Sequence, residues 1–226
     1  NIFKFDKQLG DMKLVYKKVL EEGPVRSTVR VKYKYNQSYV LQDFRVYREL
    51  DYVEVKVHVD WREPQTQLKI SYPVNFNFRR PTYEIPYGYI EKSANGEEEP
   101  GQTWFDFTGE HFKKQVMYGL AIANDAKYSY NMSVDEMNLT VLKNSVFAHH
   151  DPKVLEEGVE YNFVDDGIQE FTYMLIPHTG SWKDADVVKR ARELNRKAKT
   201  VIETYHKGRQ TQKASFLSLD CDHAII

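Results

Sequence analysis

Residues Val53 to Trp61 read Val-Glu-Val-Lys-Val-His-Val-Asp-Trp. Val53, Val55, Val57 and Val59 alternate with Glu54, Lys56 and His58. Successive side chains of an extended chain point to opposite faces, so the pattern puts one apolar row and one charged row on a strand. A strand of that kind has one face in a core and one in water, as antiparallel sheets do. The same period of two recurs upstream, where Val29, Val31, Tyr33 and Tyr35 alternate with Arg30, Lys32 and Lys34. It recurs downstream in Leu68, Ile70 and Tyr72, set between Lys69 and Ser71. Further strands are predicted over Val40 to Glu49, Tyr118 to Ala123, Met137 to Leu142, Phe171 to Ile176 and Ala214 to Leu219. Turn formers separate them: Gly23-Pro24, Arg62-Glu63-Pro64, Asn95-Gly96 and Asp165-Asp166-Gly167. Many short strands punctuated in this way predict a mainly β fold, a large antiparallel sandwich.

One stretch departs from that period. Val187, Ala191, Leu194, Ala198 and Val201 step by four and three, and charged residues fill the other faces. A short helix is therefore predicted near 184–201, with Asp184 as its N-cap. Lys92 to Gln102 is polar and turn-rich and reads as a loop. No domain boundary is evident, so residues 1–226 are expected to form a single β domain.

Composition narrows the function classes. The 226 residues carry 32 Lys+Arg and 33 Asp+Glu, a formal net charge of -1. That balance gives no electrostatic footprint for nucleic acid or an anionic membrane. No apolar run approaches the roughly 18 residues of a membrane-spanning helix. The single cysteine, Cys221, cannot form an intrachain disulfide, and a cytoplasmic setting is expected. The first residues, Asn1-Ile2-Phe3-Lys4-Phe5, lack an initiator Met and a signal-peptide pattern, so the chain is expected to begin inside a longer protein.

Few residues suggest chemistry by spacing alone. His58 and Asp60 stand two apart on a strand and could reach one ion, but Glu54 and Lys56 on the same face mark that face as solvated. His149, His150 and Asp151 are a second metal candidate, weakened because adjacent extended residues point apart. Asn124-Asp125 follows an apolar strand, and His178 ends another. Strand ends are where binding residues gather, although Asn, Asp and His also serve turns with no other role. Sequons at Asn36, Asn131 and Asn138 are read as coincidental. Trp61, Trp104 and Trp182 could stack on sugars, but core packing is the expected role of such large aromatics.

Specific wording carries the reading further. Phe44 to Glu49 reads FRVYRE, Val57 to Glu63 VHVDWRE, and Tyr83 to Glu91 YEIPYGYIE. Pro100 to Asp106 reads PGQTWFD, and Tyr118 to Tyr128 YGLAIANDAKY. Leu139 to Ser145 reads LTVLKNS, and Leu175 to Trp182 LIPHTGSW. In this order and at these separations the blocks resemble the C-terminal region of glycoside hydrolase family 38, in its bacterial and cytosolic α-mannosidase type. The resemblance implies a β-supersandwich like that of galactose mutarotase. It implies a parent enzyme that hydrolyses terminal α-mannosides with retention, using zinc and an aspartate nucleophile in an N-terminal α/β barrel that this chain lacks. No cofactor is expected in the chain itself. Its expected partners are the barrel and, through the whole enzyme, an α-mannoside or oligosaccharide. Self-association through an orphaned inter-domain face is also expected. On this resemblance Asn124, Asp125, Lys143 and His178 are the expected substrate-side residues and none is catalytic. Lys143 replaces an Arg of the family motif, which keeps the charge and loses the bidentate fork. The competing expectation is a free-standing carbohydrate-binding sandwich.

Overall fold

The computed structural model describes residues 7–75, 77–147, 155–221 and 224. Two compact units divide at Asn195 and Arg196. The first holds every helix and strand of the described residues, and these form two antiparallel sheets and one helix.

The larger sheet has nine strands. A meander opens it: β1 (Lys13–Glu22), β2 (Arg26–Tyr35), β3 (Ser38–Tyr47) and β4 (Val53–Trp61). Next to β4 comes β13 (Gly167–Thr179), then β10 (Met117–Asn124), β9 (Trp104–Glu110), β6 (Asn77–Ile85) and β7 (Gly88–Glu91). The smaller sheet orders β5 (Gln67–Pro73), β12 (Glu136–Lys143), β11 (Ser129–Met132) and β8 (Glu99–Pro100).

Val55, Val57, Val59 and Trp61 of β4 all point into the space between the sheets, as their alternation predicts. They meet Phe105, Phe107, Ile122, Phe171 and Tyr173 of the same sheet and Met137, Leu139 and Val141 of the smaller one. Each fully buried side chain of this size contributes roughly 1.5–3 kcal/mol relative to exposure. Polar groups inside this layer find each other. The Gln42 amide donates to the Tyr173 hydroxyl at 3.0 Å, which lies 2.6 Å from the Tyr72 hydroxyl. Burial raises the Tyr72 phenol to about 12, partly offset by its bond to Tyr173.

The outer face of the large sheet carries a second apolar cluster. Trp104, Ala121, Ala123, Met174 and Ile176 lie beneath α1 (Val187–Asn195). Small alanines on β10 let the helix approach, and Val187, Ala191 and Leu194 face down at helical spacing. The helix is shorter than its apolar pattern. It stops at Asn195, whose side-chain amide donates to the carbonyls of Ala191 (2.9 Å) and Asn124 (3.0 Å). Ala198 and Val201 fall beyond it. Asp184 does not cap it. Its carboxylate accepts the Ser181 amide and hydroxyl at 2.8 and 2.7 Å, closing the turn before the helix.

Other expectations change as well. Ala214 to Leu219 forms no strand; the second unit has no regular element among its described residues. Lys92 to Gln102 is mostly loop but contributes the two-residue β8. Strands β1, β6 and β9 lie outside the predicted set: β1 has no alternation, and those of β6 (Thr82-Tyr83-Glu84-Ile85) and β9 (Phe105-Asp106-Phe107-Thr108) are brief. In β9 all but the last residue are buried, so its polar row, Asp106 and Thr108, is covered as fully as its apolar row, Phe105 and Phe107. Strand β1 is nearly all exposed, with Leu14, Val15 and Val19 about half in water at 51, 52 and 54%.

Candidate functional site

The four residues expected on the substrate side do not converge. Asn124 and Asp125 end β10 at a corner that consumes their polar atoms. Asn124 is fully buried. Its side-chain oxygen accepts the amides of Ala126 (3.1 Å) and Lys127 (2.6 Å), forming an Asx turn. Its side-chain nitrogen donates to the Tyr130 hydroxyl at 2.9 Å. Asp125 accepts the Thr172 amide at 2.8 Å and so pins the corner to β13. Tyr130 stacks on Phe105 with centroids 4.0 Å apart, and its hydroxyl also donates to the Lys127 carbonyl. Burial raises its phenol, opposed by the Asn124 bond.

Lys143 ends β12 in the smaller sheet, where its backbone amide donates to Asp165 at 2.9 Å. His178 lies elsewhere again. It pairs with Gly119, five residues along β10 from Asn124, or roughly 17 Å at strand rise. It points to the outer face, the one shared with Ile176 and α1.

There His178 enters a buried polar group. Its side chain is only 3% exposed, and Nε2 lies 2.7 Å from Oδ1 of Asp106, which has no exposed side-chain surface. Oδ2 of Asp106 accepts the Thr108 hydroxyl at 2.6 Å. A carboxylate only accepts, so Nε2 carries the proton. Nδ1 is buried and meets no hydrogen-bond partner among the described residues. Gly119 makes the space: a Cβ there would lie 2.6 Å from His178 Cε1 and 2.9 Å from the Phe107 carbonyl oxygen.

The register extends this group sideways. Arg80 pairs with Thr108 and Thr82 with Asp106 between β6 and β9, and Glu91 pairs with Thr82 between β7 and β6. Paired residues share a face, so Arg80, Thr82, Glu91, Thr108, Asp106 and His178 stand on one side of the sheet. Above them lies a cleft of about 270 Å³, walled on one side by Trp182 and Asp184. The Trp182 ring is fixed by Trp104 (4.8 Å between centroids) and by the edge of Tyr89 (4.9 Å). Sequence reasoning missed Arg80, Thr82, Glu91, Asp106 and Thr108. They come from three strands, and no local spacing joins them.

Metal chemistry finds no seat here. Among the described residues no three His, Cys, Asp or Glu side chains are grouped to hold an ion. The zinc that the family resemblance implies finds no ligand set among the described residues of this chain. His58 bonds Glu170 at 3.0 Å and stacks on Tyr39 (5.8 Å), while Asp60 pairs with Arg62 at 2.7 Å. His149, His150 and Asp151 lie outside the described residues. Trp61 and Trp104 are core residues, at 3 and 2% exposure.

Comparison with known proteins places this fold. Residues 6–152 match the family model described as glycosyl hydrolases family 38 C-terminal domain. Alpha-mannosidase G of Dictyostelium discoideum is 27% identical over 201 residues, covering 86% of this chain and 17% of its own length. Human alpha-mannosidase 2C1 is 30% identical over 152 residues, covering 64% of this chain and 13% of its own. This chain thus spans under a fifth of either relative. Among solved structures, a protein in glycosyl hydrolase family 38 from Enterococcus faecalis superimposes with a TM-score of 0.63 at 11% identity, over 82% of this chain and 25% of that one. Two antiparallel sheets with an outer helix, matched over most of the sandwich by that family's model, show that the chain belongs to glycosyl hydrolases family 38 through its C-terminal domain.

Proposed function

We propose that this chain works as the supporting β-sandwich of an α-mannosidase that hydrolyses terminal α-mannosides, and that it is inactive by itself. The match of residues 6–152 to the family's C-terminal domain carries the reading. The relatives named alpha-mannosidase, of which this stretch forms 13–17%, support it. Glycoside hydrolysis needs two carboxyl groups facing each other across one bond. On the outer face Asp106 is bonded to His178 and Thr108, and Asp184 to Ser181, which leaves Glu91 without a second unengaged carboxyl to face among the residues lining the cleft. The catalytic pair, and the zinc of the working enzyme, are assigned to the larger part of the parent, in a cytoplasmic setting. An aryl α-mannoside assay of this chain beside its full-length parent, with and without zinc, tests this. Zinc-dependent turnover by the parent alone is expected. Turnover by the 226-residue chain itself would overturn the reading.

A further inference from the structure

The outer-face cleft has a chemistry of its own. Arg80 and Glu91 are exposed, and neither forms an ion pair among the described residues. Charges of both signs line it, Arg80 against Glu91 and an Asp184 whose carboxylate is already engaged by Ser181, so no cluster of one sign is set to take an ion. Hydroxyl groups suit such a lining, because each can donate to Glu91 and accept from Arg80. Thr82 and Thr108 add two nearly buried hydroxyls to the floor. Trp182, half-buried, packed on Trp104 and Tyr89 and with the Lys183 ammonium 5.2 Å from its ring centre, adds aromatic surface to the wall against which a C–H group can rest. At about 270 Å³ the cleft falls just under the roughly 300–1,000 Å³ of sites for drug-sized ligands, which suits one ring and not a chain of them.

The floor is built to hold its shape. Thr108 is oriented by Asp106, and Asp106 by His178, so the hydroxyl proton of Thr108 is committed to Asp106 and its oxygen remains able to accept a further hydrogen bond. A buried His–Asp pair is costly to desolvate and gives no apolar packing in return. The sequence keeps space for it with Gly119. That arrangement is explained if the hydroxyl above it must be aimed.

We propose that this cleft is a binding site for a single polyhydroxylated ring, a monosaccharide unit, held between Trp182, Arg80 and Glu91. The ligand class follows from the cleft's residues. Only the choice of a mannoside as first probe rests on the α-mannosidase reading.

The test is calorimetric titration of the full 226-residue chain with methyl α-mannoside, glucose and galactose, repeated on Arg80→Ala and Glu91→Gln. Both positions are exposed, so folding is retained, which circular dichroism checks. Saturable binding of at least one sugar is expected, weakened about tenfold in each variant, the loss of one charge-assisted hydrogen bond. Thr108→Val should weaken it further, while Ser71→Ala, on an exposed position of the smaller sheet, leaves it unchanged. Binding of galactose and not of the mannoside, lost in the variants, would uphold the cleft and count against the α-mannosidase reading. No saturable binding of any of the three, or binding indifferent to both variants, would overturn the proposal whatever the parent's activity.

Discussion

Strand β10 has two polar ends, and they are finished differently. At Asn124 every side-chain polar atom is bonded within the fold, to Ala126, Lys127 and Tyr130. At Gly119 the neighbouring His178 keeps one ring nitrogen without a partner, and Arg80 and Glu91 nearby keep their charges unpaired. A polar residue at a strand end is a candidate for either role. What separates the roles is how much hydrogen-bonding capacity remains after folding. By that measure the Asn124 corner is architecture, and the Gly119 end is where a ligand could add bonds.

Substitutions can break the contrast or sharpen it. The largest effect should come from Tyr130→Ala, which empties a fully buried ring site under the corner. A loss of about 3–5 kcal/mol is expected in urea unfolding. Asn124→Ala should cost about 2–3 kcal/mol, because the backbone amides of Ala126 and Lys127 lose their acceptor and the Tyr130 hydroxyl loses one donor. The folded fraction should still bind sugar like the parent chain, and a selective loss of binding would move Asn124 into the site. Gly119→Ala should cost about 1–3 kcal/mol by overpacking against His178 and the Phe107 carbonyl, with sugar affinity falling as the Thr108 support shifts. Arg80→Ala and Glu91→Gln should change stability by no more than about 0.5 kcal/mol, the usual range for surface substitutions.

Alkali gives a test that spares the cleft. Burial raises the phenols of Tyr72, Tyr83, Tyr130 and Tyr173 above 10. A group whose pKa is raised in the fold stabilises it fully below its unfolded value and loses that contribution as pH climbs. Stability should therefore hold up to about pH 10 and fall as pH approaches 12, where Tyr72 ionises. Tyrosinate absorbance and loss of circular dichroism should rise together. Early ionisation without unfolding would show that the tyrosine layer is open to water.

Much of the sandwich was legible because one-sided strands write their burial into the chain. Strands β2, β4 and β5 have one wet face, and each shows period two. Strand β9 is covered on both faces, so its brief alternation Phe105-Asp106-Phe107-Thr108 marks no wet side, and β1 is covered on neither. Pro81 further disguises β6, although the ring sits in the strand between Arg80 and Thr82 without breaking it. Asp184 was correctly placed near a helix start, but a nearer donor, Ser181, claims its carboxylate. The cleft was illegible for a different reason. Arg80, Glu91, Thr108 and His178 are neighbours only through strand order, and β13 reaches β10 after a crossover of more than forty residues. Only His178 carried a local hint, its place at a strand end.

The indole pair beside the cleft has an optical consequence. The rings of Trp104 and Trp182 lie 4.8 Å apart and are tilted by 36°. Transition dipoles at that separation exchange excitation, and a skewed pair does so with a definite handedness. The circular dichroism of this protein should carry a split band of opposite-signed lobes from that couplet. Because Trp104 belongs to a strand and Trp182 to the turn before α1, the band would report whether that turn is seated, with no label attached.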